Sequence, residues 1–476
     1  MTVQVIGRIL QLKKLLISRF LSLKSHFPRS DQKIKYSLWF DGTNCEHGIV
    51  IGLLQFLMDD PSQSKDICKP LLFGIWNINE TKEWYELIAS HVFPQISGAA
   101  GPFQINGQSI SFAFRLLKGD LSFLRKILGS ASAGHLRCGF CTMNFHDGRM
   151  ILFEYHWTHV EKTITWLCDT PEKQLAEFNC KRPAFLPSKS SLLSEENLAD
   201  FEIAFDALHM MKGLLAGIYE CITACKGLKF EFKTFSIKLE EAMSKRDPND
   251  LPSSGWRKFF LLYEECIVPF VDKPYQDLIR QICQLANDLS YLLFVPSNPT
   301  INQRYRYLIS SFVLFDTLSR HSAFSKLLNS CYLHYLCSHM AKRYFNCKLE
   351  NSFPQQSTDL CESFFARLKP AFSRTNHHQG DKEITILTAF NYQALYMEEP
   401  KTNDSSELSP FYDSYAKKRT ECLYFSLNGE NSDPNWQFFH TVLEKFGFRQ
   451  NHRWRFWGKN IIEFDCGKLM DNEFEK

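Results

Sequence analysis

Alternating apolar and polar residues near the start of the chain predict β-strands. Residues 35–40 (KYSLWF) are rich in β-forming residues, residues 108–116 (QSISFAFRL) alternate, and the run 69–75 (KPLLFGI) is almost wholly apolar. Between the last two, helical spacing of apolar residues predicts a helix over 83–92. Strand, strand, helix and strand in this order is typical of an α/β core.

A long helical block is predicted for residues 230–346. Apolar side chains recur there at three- and four-residue spacing, with breaks near Pro252, Pro274 and Pro296. Beyond it, the polar stretch 401–410 has the composition of a linker. The tail after this linker predicts a strand (CLYFSLNG), a helix (WQFFHTVLEKFGF) and an aromatic basic run, which together favour a small packed α+β appendage.

Composition fits a globular protein and excludes a strongly basic nucleic-acid binder. The 476 residues are 44% hydrophobic and 22% charged, and 55 basic against 52 acidic residues leave a net charge of +3. Any DNA contact must therefore rely on local patches. Sixteen cysteines are too sparse for a disulfide scaffold, so we expect reduced thiols and an intracellular protein. No stretch reaches roughly 18 uninterrupted apolar residues, so no membrane span is expected.

Two aspartates are candidate acidic ligands. Asp41 follows the strand 35–40, where a turn would open its carboxylate to solvent at the rim of a sheet. Asp206 has two interpretations. It lies either on the polar side of one long amphipathic helix, or at the tip of a buried strand over 201–205 (FEIAF) with the helix starting after it; periodicity alone slightly favours the helix.

Cys138 and Cys141 form a C-x2-C pair with glycine between the sulfurs. This spacing lets two thiolates face one ion from a tight turn, although a lone pair is only half of a zinc site. Two free thiols in a turn remain the alternative. His146, His156 and His159 follow closely and are competing ligands.

His334 and His339 provide the other soft ligands, but their spacing is unfavourable. On an α-helix, about 100° per residue places them about 140° apart, so both cannot face one ion unless the helix distorts. Cys331 and Cys337 each lie three residues from His334 and are geometrically easier partners.

Glu362 opens a predicted helix over 363–369 that Pro370 stops or kinks. With Asp359 as N-cap it forms a capping-box pattern, which is the structural interpretation that local evidence favours. A carboxylate followed by basic side chains also suits a magnesium ion beside phosphate. These basic residues are Arg367, Lys369 and Arg374.

Taken in their order along the chain, these motifs resemble those in the catalytic cores of the V(D)J recombination-activating protein 1 and Transib-type transposase family. The resemblance covers roughly residues 33–398, and its pieces are specific only together. They are Asp41-Gly42, CKPLLFGI from Cys68, SISFAFR followed by CGFC from Cys138, FDALHMMKG around Asp206, the pair His334 and His339, and STDLCES around Glu362.

The resemblance implies an α/β fold: an RNase H-like core with a zinc-binding arm and a large helical insertion before the catalytic glutamate helix. It implies an Asp-Asp-Glu (DDE) triad of Asp41, Asp206 and Glu362 that holds two Mg²⁺ (or Mn²⁺) ions, and it favours the strand interpretation for Asp206. It also implies a Zn²⁺ ion held by Cys138, Cys141, His334 and His339. Phosphate contacts would come from Arg367, Lys369 and Arg374.

The predicted organisation has five parts, named here with the family's terms. They are a basic N-terminal helix (1–33), an RNase H-like core (34–225) that includes the zinc-binding arm (117–195), a helical zinc-binding insertion (226–345), the catalytic glutamate helix with a following helix (346–400), and a small α+β tail (401–476). The basic N-terminal segment also has features of a mitochondrial presequence, but a packing or DNA-facing helix is favoured.

The implied function is DNA nicking and strand transfer on double-stranded DNA in the nucleus, with a homodimer and an accessory recombination-activating subunit as further partners and no membrane. The alternatives are a catalytically inactive relative that binds DNA or protein, and a zinc-stabilised helical interaction protein.

The sequence departs from the family pattern in two places that bear on DNA recognition and cleavage. Little sequence precedes Asp41 where the family has a DNA-reading module, and residues 354–356 (PQQ) replace a tryptophan that would stack on an unpaired base.

Overall fold

The fold is given by a computed structural model. It describes residues 7–23, 32–43, 49–57, 68–76, 78–79, 81–129, 138–145, 147–159, 202–204, 206–225, 230–245, 247–294, 299–346, 358–374, 386, 391, 433–446, 454–456 and 462–464. The predicted loop, linker and tail strand at 180–194, 401–410 and 422–429 lie outside these residues, as does His146.

Seven strands form the main sheet. They are β1 (Gly7–Ile9), β2 (Gln32–Thr43), β3 (Ile49–Leu57), β4 (Leu71–Trp76), β5 (Phe103–Ile105), β6 (Gln108–Gly119) and β7 (Glu202–Ile203). Their order is β1-β4-β3-β2-β6-β5, and β7 also pairs with β6. A separate two-stranded antiparallel sheet joins β8 (Trp454–Phe456) to β9 (Ile462–Phe464).

Strand direction brings three carboxyl ends to one edge of the sheet. Strands β2, β3 and β4 form an antiparallel meander, whereas β6 runs parallel to β2 and β7 runs parallel to β6. The parallel register of β2 and β6 ends at the pair Phe40 and Gly119, and β7 pairs with β6 at Leu117 and Ile203. One edge of the sheet therefore holds the last residues of β2 and the residues that follow β6 and β7.

Both faces of the sheet are covered, which explains why β3 and β4 are buried along their whole length. On one face, the ring of Phe40 packs against Phe73 and Phe123 at centroid distances of 5.5 and 5.4 Å. On the other face, Trp39 packs against Phe365 at 5.9 Å. Neighbouring residues of β2 point to opposite faces, as the period of two in a strand requires.

Helices make up most of the remaining structure. The α-helices are α1 (Leu12–Ser22), α2 (Lys82–Leu87), α3 (Phe93–Gly98), α4 (Leu121–Ile127), α5 (Phe153–Trp157), α6 (Ala207–Ala224), α7 (Phe232–Met243), α8 (Ser253–Leu261), α9 (Tyr263–Cys266), α10 (Gln276–Phe294), α11 (Ile301–Ser319), α12 (Ser325–Leu328), α13 (Cys331–His334), α14 (Ala341–Asn346), α15 (Asp359–Arg374) and α16 (Pro434–Lys445). Short 3-10 turns occur at Gly148–Ile151, Pro248–Asp250, Val268–Phe270, Lys273–Tyr275 and Ser322–Phe324, and π-helical turns at Ile88–Val92 and Tyr335–Met340.

The C-terminal helix α16 packs on the helical block. The ring of Phe439 stacks on Phe312 at 3.9 Å, and the indole nitrogen of Trp436 donates to Asp316 at 3.2 Å. The amide oxygen of Asn435 accepts from the backbone nitrogen of Phe153 at 2.8 Å, which ties α16 to the start of α5. The predicted tail helix is therefore present and is part of the folded core.

The mixed α/β architecture expected from the sequence is confirmed, with some local differences. Residues 196–226 do not form one helix, because Glu202–Ile203 pairs with β6 before α6 begins. Residues 7–9 form a strand rather than part of the N-terminal helix, since they hydrogen-bond to the edge of β4. Among the described residues, no helix is long and apolar enough to cross a membrane, and each described cysteine has a free thiol.

Candidate functional site

Two cysteines and two histidines form a buried cluster that could hold a zinc ion. Cys138, Cys141, His334 and His339 each offer one ligand atom, and these atoms lie within 4.8 Å of one another. The Sγ of Cys138 is 3.4 Å from Nε2 of His339, and the Sγ of Cys141 is 3.3 Å from Nε2 of His334. Among the residues that the structure describes, this is the one Cys/His/Asp/Glu group close enough to share an ion.

The cysteine half of the cluster is a tight turn whose backbone faces the sulfurs. The amide of Phe140 donates to Sγ of Cys138 at 3.3 Å, and the amide of Met143 donates to Sγ of Cys141 at 3.4 Å. The turn is closed by the amide of Cys138 bonding to the carbonyl of Met143 at 3.0 Å. Amide donors favour the thiolate form, which is the form that binds metal.

The histidine half depends on a π-helical turn. Tyr335–Met340 is π-helical, so residues five apart lie above one another, and the rings of His334 and His339 approach to 4.7 Å. The hydroxyl of Tyr307 donates to the carbonyl of Leu336 inside this turn at 3.1 Å. The helix distortion that the H-x4-H spacing requires is therefore present.

The alternative soft ligands lie outside the cluster. The thiol of Cys337 donates to the carbonyl of Ser311 at 3.2 Å, and burial raises its pKa. Burial also raises the pKa of Cys331, whose thiol interacts with Arg125 and is not one of the four grouped ligands. Nε2 of His156 contacts the carbonyl oxygen of Met150, and Nδ1 of His159 contacts the hydroxyl of Thr142. The competing interpretations for these residues are not borne out.

Electrostatics keep the cluster in its metal-binding protonation state. Burial raises the pKa of Cys138, but a hydrogen bond from Cys141 and the neighbouring imidazoles of His339 and His334 outweigh it and hold that pKa well below its usual range. Burial lowers the pKa of His334 to about 4 despite its contact with Cys138. A deprotonated thiol and a neutral imidazole are ligand forms that bind zinc.

Carboxylates collect at the sheet edge where the parallel strands end. Asp41 follows Phe40, the last β2 residue with a parallel partner, and Asp120 follows Gly119, the last residue of β6. Asp206 lies just after β7 and directly before α6. Strand β2 does not end before Asp41 as predicted but continues to Thr43, because Asp41 pairs with Ile51 of β3.

Asp206 is an N-cap with a full set of hydrogen bonds. Its carboxylate accepts from the amides of Leu208 and His209 at 3.1 and 3.3 Å, and from the hydroxyl of Thr358 at 2.9 Å. It also bonds to the ring of His209, and its side chain is 1% exposed. Asp206 thus lies at a strand tip, as the strand interpretation predicted, and it joins α6 to the start of α15.

Glu362 reaches the same edge from α15. Phe365 lies one turn beyond Glu362 and packs on Trp39, which shares a face of β2 with Asp41. The carboxylate of Glu362 is 3.9 Å from Nε2 of His209, with a side chain 28% exposed. The helix begins at Asp359, so Thr358 precedes its first residue, and the side chain of Asp359, on which the predicted capping box depends, lies outside the described residues.

His209 lies among the carboxylates and carries positive charge. Burial lowers its pKa, but the charge and hydrogen bond of Asp206 and the charges of Glu362 and Asp120 together raise it to about 10. A cation is therefore already held at this edge. Neither His209 nor Thr358 was singled out from the sequence.

Asp120 is an acidic residue that the sequence interpretation missed. It caps α4 by accepting from the amide of Phe123 at 2.6 Å, and burial raises its pKa, with Asp206 adding to the rise. The predicted strand stops at residue 116, whereas β6 continues to Gly119 and delivers Asp120 at its tip. A strand followed by aspartate and a helix is the same signal that identified Asp41.

The predicted phosphate contacts lie on α15, which continues through Pro370 to Arg374 instead of stopping there. Arg367 is exposed, and its guanidinium lies 5.6 Å from the ring of Phe364. The side chains of Lys369 and Arg374 lie outside the described residues. These three contacts therefore remain predictions.

A cavity of about 980 Å³ adjoins the carboxylate edge between α4, α6 and the segment α12–α13. Asp120 and His209 contribute to its wall, and four lysine and arginine side chains line it as well: Arg125, Lys126, Lys212 and Lys326. The cavity wall formed by α4 also contacts the Cys/His cluster. A Cβ at Gly139 would lie 2.7 Å from Cγ of Arg125, so the cysteine turn packs directly on α4.

Comparison with known proteins gives no match. No protein-family model matches the chain, and no curated protein is significantly similar to it.

Proposed function

We propose that the protein is a DNA transposase- or recombinase-like endonuclease core that uses divalent metal for nicking and strand transfer. The observation that carries this proposal is the convergence of Asp41, Asp120 and Asp206 at the carboxyl ends of parallel strands, with Glu362 reaching the same edge from a helix. Ligand and catalytic groups of α/β sheets collect at such edges.

The strand order supports an RNase H-like core. An antiparallel meander (β2, β3, β4) followed by two strands parallel to its first member (β6, β7) is the arrangement expected for that fold. The large helical block lies between β7 and α15, where the family resemblance places its insertion. Membership of the family named above remains part of this proposal.

Within this proposal, Asp41, Asp120 and Glu362 hold the Mg²⁺ or Mn²⁺ ions. Asp206 was the predicted second aspartate, but its oxygens are occupied by two amides, the hydroxyl of Thr358 and the ring of His209. We therefore assign Asp206 to orienting His209 and Asp120 to metal binding. The bound ions would activate the attacking hydroxyl and stabilise the leaving oxygen of a phosphodiester.

His209 supports a cation requirement at this edge. Carboxylates brought close together repel one another unless positive charge lies between them, and His209 supplies that charge in the metal-free protein. Bound metal would take over the neutralisation of Glu362, and His209, which also lines the adjoining cavity, would then be available to a ligand there. There it can donate a hydrogen bond to a phosphate oxygen.

The cavity and the zinc-type cluster fit a DNA partner. Arg125, Lys126 and Lys212 give the cavity a positive wall beside the carboxylates, and Arg367, Lys369 and Arg374 would extend the phosphate contacts along α15. Such contacts position DNA without reading its sequence. The cluster would fix the cysteine turn against α4 and thereby hold Asp120. A nuclear location, a homodimer and an accessory recombination-activating subunit accompany this proposal as expectations from the resemblance.

The test is nicking of supercoiled plasmid DNA with and without Mg²⁺ or Mn²⁺. The parent should produce relaxed circles only with added metal, and Glu362→Gln should lower the rate by at least about 100-fold, since a metal ligand loses its charge. Glu241→Gln is the matched control, because its carboxylate is exposed on α7 far along the chain. Equal rates for the parent and Glu362→Gln would rule the proposal out.

One observation favours the inactive, binding-only alternative. In the described part of the chain, the carboxylates do not form a group whose oxygens share one ion position, and His209 lies between Asp206 and Glu362. A protein that keeps this histidine permanently in place would bind DNA or protein without cutting. A gel shift with DNA but no cleavage in Mg²⁺, Mn²⁺ or Ca²⁺ would select this alternative.

A further inference from the structure

Among the described residues, three imidazole nitrogens are buried without a hydrogen-bond partner, and two of them belong to neighbouring rings. Nδ1 of His156 and Nδ1 of His334 are both buried without a partner. Both side chains are fully buried, and their ring centroids are 5.5 Å apart. Buried polar atoms are nearly always paired in folded proteins, so two such atoms close together require an explanation.

The proton position on His156 follows from its other nitrogen. Nε2 of His156 lies 2.8 Å from the carbonyl oxygen of Met150, and a carbonyl can only accept, so Nε2 carries the proton. The side chain of His156 is fully buried, and burial favours the neutral ring. Nδ1 of His156 is therefore a lone-pair acceptor.

The proton position on His334 is the opposite. Its Nε2 faces Sγ of Cys141 at 3.3 Å and is the nitrogen that can bind a metal ion. A neutral imidazole bound to metal through Nε2 must carry its proton on Nδ1. Nδ1 of His334 is therefore a donor, and it needs an acceptor.

We propose that His156 is the positioning residue of the metal cluster, accepting a hydrogen bond at Nδ1 from the Nδ1–H group of His334. The other groups around the pair support this assignment. The ring of Phe145 packs on His334 at 5.7 Å, and the ring of Phe315 packs on His156 at 4.7 Å, so each ring has an aromatic neighbour that offers no acceptor in its plane. In this proposal the two rings turn toward each other when metal fixes His334.

This contact would set both the tautomer and the orientation of His334. Metal-bound histidines almost always donate their second N–H to an outer partner, and loss of that partner typically lowers metal affinity by about 10- to 100-fold. His156 lies on α5, which Asn435 of α16 holds at its start. The C-terminal helix thus supports the metal cluster through α5. The proposal rests on metal binding by the cluster and not on DNA cleavage.

The test measures zinc affinity by competition with a chromogenic chelator, using purified full-length protein. His156→Phe should weaken binding by about 10- to 100-fold, whereas His156→Gln, whose amide can donate to Met150 and accept from His334, should regain most of it. His321→Phe is the control, since His321 is an exposed histidine that follows α11. Its affinity should change by less than about 3-fold.

A second measurement needs no variant. In selectively ¹⁵N-histidine-labelled parent protein with zinc, the Nδ1 of His156 should give the shift of an unprotonated, hydrogen-bonded acceptor, and the proton should reside on Nε2. Parent-like zinc affinity of a folded His156→Phe variant would overturn the proposal. A protonated Nδ1 on His156 in the zinc-bound protein would overturn it as well, and so would failure of His156→Gln to regain affinity.

Discussion

The Cys/His cluster and the carboxylate edge lie on connected elements, yet their ligand atoms are arranged in opposite ways. In the cluster, two sulfurs and two imidazole nitrogens already lie within 4.8 Å of one another. At the edge, the carboxylate of Asp206 bonds to the ring of His209, and the carboxylate of Glu362 lies 3.9 Å from the same ring. The pKa of His209 is raised to about 10. The ligand atoms of the Cys/His cluster are already close together without metal. The carboxylates at the edge are instead grouped around the positively charged ring of His209.

Charge explains this difference. The neutral imidazole of His334 and a Cys138 thiolate stabilised by an amide can be packed together at little electrostatic cost. Carboxylates repel one another at short range, so they approach only around positive charge. In our proposal the cluster has a structural role, and the edge is where exchangeable ions would act. The predictions below test this division, beginning with the largest expected effect.

The cluster should be required for stability. Cys141→Ser removes a thiolate ligand, and loss of a structural metal site typically costs roughly 4–5 kcal/mol or more of unfolding free energy. Chemical denaturation with and without a chelator measures this loss. Cys225→Ser, at a half-buried cysteine in the same fold, should change stability by less than about 1 kcal/mol. Equal stability of Cys141→Ser and the parent would show that the cluster holds no structural ion.

The edge should separate the two aspartates by function. Asp120→Asn should lower metal-dependent nicking by at least about 100-fold with little loss of stability, because it removes a metal ligand at the strand tip. Asp206→Asn should instead destabilise the protein by roughly 1–3 kcal/mol, since it weakens a buried set of hydrogen bonds. Nicking rates and denaturation midpoints of both variants distinguish the roles. The reverse pattern would return Asp206 to the proposed triad.

Stability should depend on pH through His209. Its folded pKa of about 10 lies above the unfolded value near 6.5, so its contribution is complete below about pH 6.5 and is lost as the pH rises through about 10. The imidazole is 33% exposed and screened by solvent, so the effect should be roughly 1–2 kcal/mol. Urea denaturation between pH 6 and 10 should show this loss in the parent but not in His209→Gln. Mg²⁺ should stabilise the parent more at pH 10 than at pH 6.5, because the histidine of the folded protein loses its charge only as the pH reaches about 10.

The smallest expected effect is at the predicted phosphate contact. Arg367→Ala should weaken DNA binding a few-fold at every sequence tested and should reduce the slope of log affinity against log salt by about 1. Lys245→Ala, an exposed lysine that follows α7, should leave that slope unchanged. Fluorescence anisotropy titrations at several salt concentrations measure both. An unchanged slope for Arg367→Ala would remove α15 from the DNA-facing surface.

Much of the fold could be predicted from local patterns. A run of β-forming residues identified β2, and the apolar run identified β4. Alternation identified β6, because side-chain period follows directly from strand geometry. Helical spacing identified the long block from α7 to α14 for the same reason. The choice of a strand before Asp206 came only from the family resemblance, since β7 has two residues and pairs with β6 through backbone groups that leave no periodic signal.

The candidate sites show what local patterns cannot give. The pairing of His334 with His339 depends on a π-helical turn, and that turn is supported by Tyr307 from another helix. Asp120 was missed because β6 extends three residues further than its alternating pattern, through residues 117–119. His209 acquires its charge only from carboxylates that the tertiary fold brings together. Each of these features is a property of contacts between distant segments.

Anomalous diffraction from crystals grown with Zn²⁺ and soaked in Mn²⁺ tests the central claim most directly. We expect one zinc peak among Cys138, Cys141, His334 and His339. We also expect manganese among Asp41, Asp120 and Glu362, with the ring of His209 turned away from Glu362. Manganese absent from that edge, or bound while His209 keeps its contact with Glu362, would contradict the account.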